Sequence, residues 1–201
     1  MPSTFKVLFI YPNERHMSTI PPGIALLSQL LKDEGHITGV FDTTFYEFDD
    51  ATANADSEAM TDEALSHRPV VDRDDDDLHF NKVDRSPIDD LKAMIEDFSP
   101  DLLAVSCTET TFFRGLDLIR NTREFSIPNI FGGVFPTFAP HLVMKYEDVD
   151  MVCVGEGENA LVDLANRMAV GEDYSDVTNL WVRSSDGKIH KNPTTRPVDI
   201  N

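Results

Sequence analysis

Residues that could do chemistry gather in four short stretches of this 201-residue sequence: PNERHMSTIPPG (12–23), CTETTFF (107–113), GGVFPTFAP (132–140) and GEGEN (155–159). Glycine and proline let backbone approach a ligand closely, and serine and threonine offer short hydroxyls to its amide or phosphate groups. None of the four sets a nucleophile beside a base and an acid in the manner of a catalytic triad. The two cysteines, Cys107 and Cys153, stand singly inside or beside apolar runs, and two such thiols alone build neither a disulfide scaffold nor a zinc or iron–sulfur site. The acidic run DRDDDDLHFNKV, counted from Asp72, puts Asp77 and Val83 where a calcium loop needs glycine and glutamate, so calcium is not expected.

Charge narrows the partners. With 36 acidic against 17 basic residues, a net −19, the surface repels phosphate backbones and anionic headgroups, so nucleic acid is not an expected partner. Residues 47–85 hold 13 acids and 4 bases, nearly half of that excess. The apolar share of 41% suffices for a core, and no apolar run approaches the roughly 20 residues of a membrane span. The opening MPSTFKVLFIYPN lacks the basic region and cleavage site of a signal peptide, which points to a cytoplasmic chain.

The elements that must position the four stretches alternate regularly. Phe5 to Tyr11 is a continuous apolar run, the pattern of a strand covered on both faces in a parallel sheet, and it reads as the central strand. GIALLSQLLKDEG repeats Ile24, Leu27 and Leu31 at helical spacing and closes on Gly35; His36 to Asp42 reads as the second strand. After the acidic stretch, Ser86–Asp89 forms an S-x-x-D capping box ahead of Leu91, Met94, Ile95 and Phe98. Strands follow at Asp101–Ser106, Pro128–Gly132 and Met151–Val154. Helices are expected at Phe113–Arg123, briefly near His141–Tyr146, and at Glu158–Met168. Asn179–Asn192 reads as a hairpin by its Asp-Gly turn. The sum is an α/β, flavodoxin-like (Rossmann-like) doubly wound sheet of five parallel strands in order 2-1-3-4-5, with an appended C-terminal hairpin. Residues 47–85 read as a solvated acidic insertion, with one helix around Ser57–Leu65, because low hydrophobicity with high charge does not offset ordering entropy.

In such a sheet, ligands bind outside the carboxyl ends of the strands, where the four stretches fall. Three common occupants of the architecture fail on residue type. A phospho-receiver needs acids after strand one, an aspartate after strand three and a lysine after strand five. Here stand Tyr11-Pro12-Asn13, Ser106-Cys107-Thr108 and Gly155-Glu156. The first loop is longer than a flavodoxin phosphate loop, and it lacks the dinucleotide-binding G-x-G-x-x-G.

An ordered set of short motifs points elsewhere: Tyr11-Pro12, Pro21-Pro22-Gly23-Ile24-Ala25, Glu34-Gly35-His36, Phe41-Asp42, Gly132-Gly133-x-x-Pro136-Thr137, and Asp150 followed by Gly155-Glu156-Gly157-Glu158. From about residue 5 to about residue 170 the chain resembles the N-terminal cobalamin-binding domain of cobalamin-dependent radical S-adenosylmethionine enzymes. The hairpin with Asn192-Pro193 and Arg196-Pro197 resembles the linker into their catalytic barrel. The acidic insertion lies outside the common pattern.

The resemblance implies a cobalamin-binding domain at 1–170 and a hairpin and linker at 171–201. The radical S-adenosylmethionine domain, in cis or in trans, would be missing from this chain. That domain binds a four-iron four-sulfur cluster through C-x-x-x-C-x-x-C and carries S-adenosylmethionine; no such motif occurs here, so this chain is not expected to cleave S-adenosylmethionine by itself. The parent would be a methyltransferase-type enzyme acting by methyl transfer or rearrangement at carbon. The alternative is a cofactor-free flavodoxin-like interaction or regulatory domain. The implied cofactor-binding residues are Pro12, Asn13, Ser106, Thr108, Glu109, Thr110, Gly132, Gly133, Phe135, Pro136, Gly155, Glu156 and Gly157. Several carry a plainer reading. The glycine pair suits a strand-to-loop turn as well as passage of a nucleotide tail, Ser106 and the threonines suit a helix cap as well as a ligand, and Phe112, Phe113, Phe135 and Phe138 suit packing. Glu156 and Glu158 suit the positive end of the last helix. His16 is the one candidate cobalt ligand, against the reading of a solvent-facing loop histidine. Gly23 stands seven residues beyond it, rather than the three of the cobalt-ligating D-x-H-x-x-G motif.

Overall fold

The computed structural model describes residues 4–13, 21–46 and 83–195. The readings of a helix at 57–65 and of the first eleven positions of the calcium-loop count lie outside them, as does His16.

Strand β1 (Lys6–Tyr11) sits between β2 (Ile37–Asp42) and β3 (Leu102–Ser106), followed outward by β4 (Asn129–Gly132) and β5 (Met151–Cys153), all parallel. This is the expected 2-1-3-4-5 order. The hairpin is more than an appendage: β6 (Leu180–Arg183) pairs antiparallel with β5, and β7 (Ile189–Lys191) antiparallel with β6, making one seven-stranded sheet. Its turn places Gly187 at φ +82°, with the Gly187 N–H donating to the Ser184 carbonyl at 2.8 Å. That is the three-residue loop in which a left-handed residue closes a type I turn.

The central strand is apolar from Val7 onward because both of its faces are covered. Val7 and Phe9 point to one layer, formed by helix α1 (Pro22–Asp33) and a C-terminal helix (Glu158–Val170). Leu8 and Ile10 point to the other, formed by α2 (Pro87–Phe98) and α3 (Phe112–Arg120). Ser86 caps α2 as expected, accepting from the Asp89 N–H at 3.3 Å with Pro87 at the first position. The expected helix at Phe113–Arg123 is α3 followed by a 3-10 turn at Arg123–Phe125. The glycine- and proline-rich stretch after β4, read as a loop, contains a short helix α4 (Val134–Phe138). The helix expected near 141–146 is α5 (Pro140–Val143), so the C-terminal helix is α6.

Where the chain leaves and re-enters around the acidic stretch, Tyr46 and Val83 form an isolated parallel bridge. The Val83 N–H donates to the Phe45 carbonyl at 3.1 Å, the Tyr46 hydroxyl donates to Asp90 Oδ2 at 2.8 Å, and Arg85 reaches the same oxygen at 3.1 Å. Burial and the Asp90 hydrogen bond push the Tyr46 hydroxyl up to about 12.

Candidate functional site

Strand order reverses between β1 and β3, and a cavity of about 200 Å³ opens there on the α1/α6 side, at the carboxyl ends of the strands. Register builds it in two rows. Phe9 pairs with Ala104 and Ala104 with Ile130, giving an apolar floor across three strands. One pleat higher, Ser106 pairs with Gly132, beside Cys153. Gly23, Ile24 and Leu27 of α1 form one wall, Glu158 and Leu161 of α6 the other, and Gly155-Glu156-Gly157 runs along the rim. The Gly155 N–H donates to Thr137 Oγ1 at 3.1 Å, tying that rim to α4.

Three of the lining glycines are demanded neither by backbone nor by packing. At Gly23 a Cβ would meet nothing within 4 Å; at Gly132 its nearest neighbour would be the Cys153 Cβ at 3.8 Å; at Gly157 it would lie 3.5 Å from Leu27. None of the three has positive φ. Since glycine costs roughly 0.5–1 kcal/mol relative to alanine inside a helix or strand, these positions leave room that the described residues do not use. Gly133 is the opposite case: φ is +110°, and a Cβ there would stand 2.5 Å from the Cys107 carbonyl oxygen. The glycine pair thus divides between a cavity wall and a forced close approach.

Of the residues expected from sequence, the cavity brings together Ser106, Gly132, Gly133, Gly155, Glu156 and Gly157. The Ser106 hydroxyl has no hydrogen-bond partner among the described residues, whereas Thr108, Thr110 and Thr111 bond one another in the turn before α3. Pro12 and Asn13 lie elsewhere. Pro12 is buried against Gly115 of α3 on the opposite face, and Asn13 ties the end of β1 to Thr43 and Thr44. Thr108, Glu109 and Thr110 are exposed, and Pro136 is buried. Phe135 packs on Phe112, the centre of an aromatic cluster with Phe113, Phe131 and Tyr146. Phe138 departs from the packing reading, being 82% exposed, and Val134 one turn before it is 62% exposed.

Residue types limit the chemistry. Among the described residues the lining holds two carboxylates, no lysine, no arginine and no histidine. Burial pushes the Cys153 thiol up to about 12, with Glu158 and then Glu156 adding to the effect; burial alone pushes Cys107 up as well. Neither offers a thiolate at neutral pH. Among the described residues no three histidine, cysteine or carboxylate side chains gather as a metal site. The helices α1 and α6 both begin at the cavity without a side-chain cap, so their first N–H groups remain available to a ligand. Among the described residues the arrangement offers a ligand backbone N–H groups, a hydroxyl and apolar surface, and sets no nucleophile beside a base.

A doubly wound sheet with a glycine-lined slot at its switch point defines a ligand-holding domain. The kind of domain is given by comparison: residues 72–165 match the family model of the B12 binding domain, B12 being cobalamin. The match takes in β3 to β5 and the start of α6, and leaves out β1 and α1, which supply the remaining wall. Solved structures extend the likeness of fold to nearly the whole chain. The radical S-adenosylmethionine methyltransferase TsrM from Kitasatospora setae, with cobalamin and a [4Fe-4S] cluster bound, matches 98% of this chain at 20% identity and a TM-score of 0.65. The cobalamin-dependent S-adenosylmethionine radical enzyme OxsB, with aqua-cobalamin and S-adenosylmethionine bound, matches 96% at 19% identity and a TM-score of 0.61. This chain spans 30% of the length of the first and 23% of the second. No curated protein matches the sequence. Among the described residues no helix is long and apolar enough to cross a membrane.

Proposed function

We propose that this chain is the cobalamin-holding module of a larger radical S-adenosylmethionine enzyme, whose catalytic domain is supplied in cis or in trans and whose reaction is methyl transfer or rearrangement at carbon. The cavity carries this reading. At about 200 Å³ it is smaller than the roughly 300–1,000 Å³ of sites that enclose a whole drug-sized ligand, so it suits one end of a long one. Gly132, Gly157 and the Phe9–Ala104–Ile130 floor would hold the nucleotide tail, and the carboxyl edge of the sheet would face the corrin. Ser106 offers the tail a hydrogen bond. In a chain of net charge −19, the uncapped starts of α1 and α6 receive its phosphate through backbone N–H groups rather than through lysine or arginine. Val134 and Phe138 present apolar surface to the corrin beside the mouth, and exposed Thr108, Glu109 and Thr110 suit its amide arms. Pro12, Asn13, Phe135 and Pro136 shape the loops from behind. Cobalamin supplies the cobalt chemistry when bound; the protein supplies position. S-adenosylmethionine and the four-iron cluster belong to the catalytic domain, since two cysteines fall short of the three thiolates that such a cluster needs. A cytoplasmic setting is part of the same reading, supported by two free, buried thiols.

Anaerobic reconstitution with hydroxocobalamin, then desalting and a visible spectrum, tests the proposal. Stoichiometric corrin absorbance is expected, and its absence would replace the reading with a cofactor-free flavodoxin-like interaction or regulatory domain. The same sample reports on the lower face of the cobalt. Among the described residues no histidine lines the cavity, and the spacing at His16 departs from the ligating motif, so the cobalt(II) form is expected to show no nitrogen splitting by paramagnetic resonance. Triplet splitting that vanished in His16→Ala would make His16 the ligand.

The domain boundaries belong to the proposal too: a cofactor domain at 1–170 carrying 47–85 as an excursion, then a hairpin and linker toward the catalytic domain. The Tyr46–Val83 bridge supports it by holding the two ends of the excursion together. Replacing residues 49–80 by a short glycine-serine link is expected to leave one cooperative thermal transition, because loop closure depends only weakly on length. Loss of folded protein would make the stretch a structural element.

A further inference from the structure

After β5 the chain passes the cavity rim a second time. Because β6 and β7 each reverse direction, the segment following Lys191 returns to the carboxyl edge of the sheet, where the cavity opens. One residue receives it there. Asn179 is 3% exposed and holds φ at +69°, a left-handed conformation that asparagine tolerates better than most residues and that surrounding contacts must sustain.

Its side-chain amide divides between two partners. Nδ2 donates to the Glu156 carbonyl, on the rim, at 2.8 Å, and to Thr195 Oγ1 at 3.1 Å; Oδ1 accepts the Thr195 N–H at 2.6 Å. The backbone repeats the pattern, with the Asn179 N–H donating to the Pro193 carbonyl at 3.0 Å and the Val154 N–H donating to the Asn179 carbonyl at 2.8 Å. Asn192 pins the same segment from behind, its Nδ2 donating to the Ser175 and Val177 carbonyls at 2.8 and 3.0 Å. The amide itself is buried, so moving the rim or the segment away leaves its donor or acceptor short of a partner, which is costly.

We propose that Asn179 is a positioning residue that couples the Gly155–Gly157 rim to residues 193–195, so that a filled cavity stiffens the segment leading out of the domain, and a held segment tightens the cavity. Linkage makes the effect reciprocal. The identity of the filler rests on the cobalamin reading; the mechanical coupling does not.

Hydrogen exchange on the full chain, with and without hydroxocobalamin, tests it in wild type, Asn179→Gly and Thr195→Pro. Asn179→Gly keeps the backbone conformation and removes the amide. Thr195→Pro removes the far N–H and hydroxyl and leaves both Asn179 and Glu156 in place. Without ligand, each variant is expected to speed exchange at residues 154–157 several-fold with little change in the β1 and β3 amides. With hydroxocobalamin, wild type should gain protection at residues 192–195 and the variants should not. Corrin affinity should fall about fivefold in each variant and no further in the double variant. Unchanged rim exchange in Thr195→Pro overturns the coupling, as does wild-type corrin affinity in both variants. If Asn179→Gly fails to fold, Thr195→Pro decides alone. A wild-type chain that retains no corrin removes the cobalamin reading, and ligand-free exchange still decides the coupling.

Discussion

Gly132→Val is expected to strip the chain of cobalamin while leaving it folded. The position closes β4, opposite Ser106, without positive φ, and β-branched residues suit such a site. The added Cβ would meet Cys153 at an uncrowded 3.8 Å, so the domain has room for it. That room is the cavity, and valine's methyl groups would occupy the path of the tail. Overpacking a formed site costs about 1–3 kcal/mol, so corrin affinity should drop by about five- to more than a hundredfold, with a melting temperature within a few degrees of wild type. Visible titration and thermal denaturation on the same sample give both numbers. Undiminished affinity would move the tail to another part of the chain.

Gly133→Ala should do the reverse and damage the fold before the ligand is added. Its backbone, at φ +110° and ψ −165°, falls in a region that only glycine occupies without strain, and the new Cβ would lie 2.5 Å from a carbonyl oxygen that belongs to backbone and has no rotamer to change. Strain and clash together are expected to cost about 2–4 kcal/mol, lowering the melting temperature by about 5–15 °C. A variant as stable as wild type would show that the turn after β4 relaxes freely. Two adjacent glycines, one substitution each, would then separate room kept for a ligand from room the backbone never had.

Much of the fold was legible because buried parallel strands leave an unambiguous signature. FKVLFIY reads as central since every residue in it but Lys6, at its start, avoids water, and Ser86-Pro87 announces α2 through a cap and a first-turn proline. Helix α4 was hidden by its own composition. Gly133 at its start and Pro136 within its first turn read as breakers, yet a proline there forfeits only an N–H that has no helical partner. For the site, loop composition pointed to Ser106, Gly132 and the Gly155–Gly157 rim but also to Pro12 and Asn13, because residue type does not say on which side of the sheet a loop turns. The floor escaped for a related reason. Periodicity assigns Phe9, Ala104 and Ile130 to one face, and nothing local distinguishes a packed face from one left open. The available hints were small: an alanine in a strand of larger residues, and a glycine in the first turn of α1.

The register of β1 with β3 bears on how the domain assembles. Val7 and Leu102 are neighbours in the sheet and 95 residues apart in the chain, and the Phe9–Ala104–Ile130 floor exists only once that pairing has formed. Contacts of such long sequence separation demand loop closure before they return any stabilisation, and they dominate the barrier in folds of this kind. The pocket is therefore absent from any ensemble in which β1 and β3 are still apart, and a corrin has nothing to grip there. Hydroxocobalamin present during refolding is expected to slow unfolding of the finished domain and to leave the folding rate unchanged in stopped-flow fluorescence of Trp181, the signature of a ligand that recognises a completed chain and does not template it.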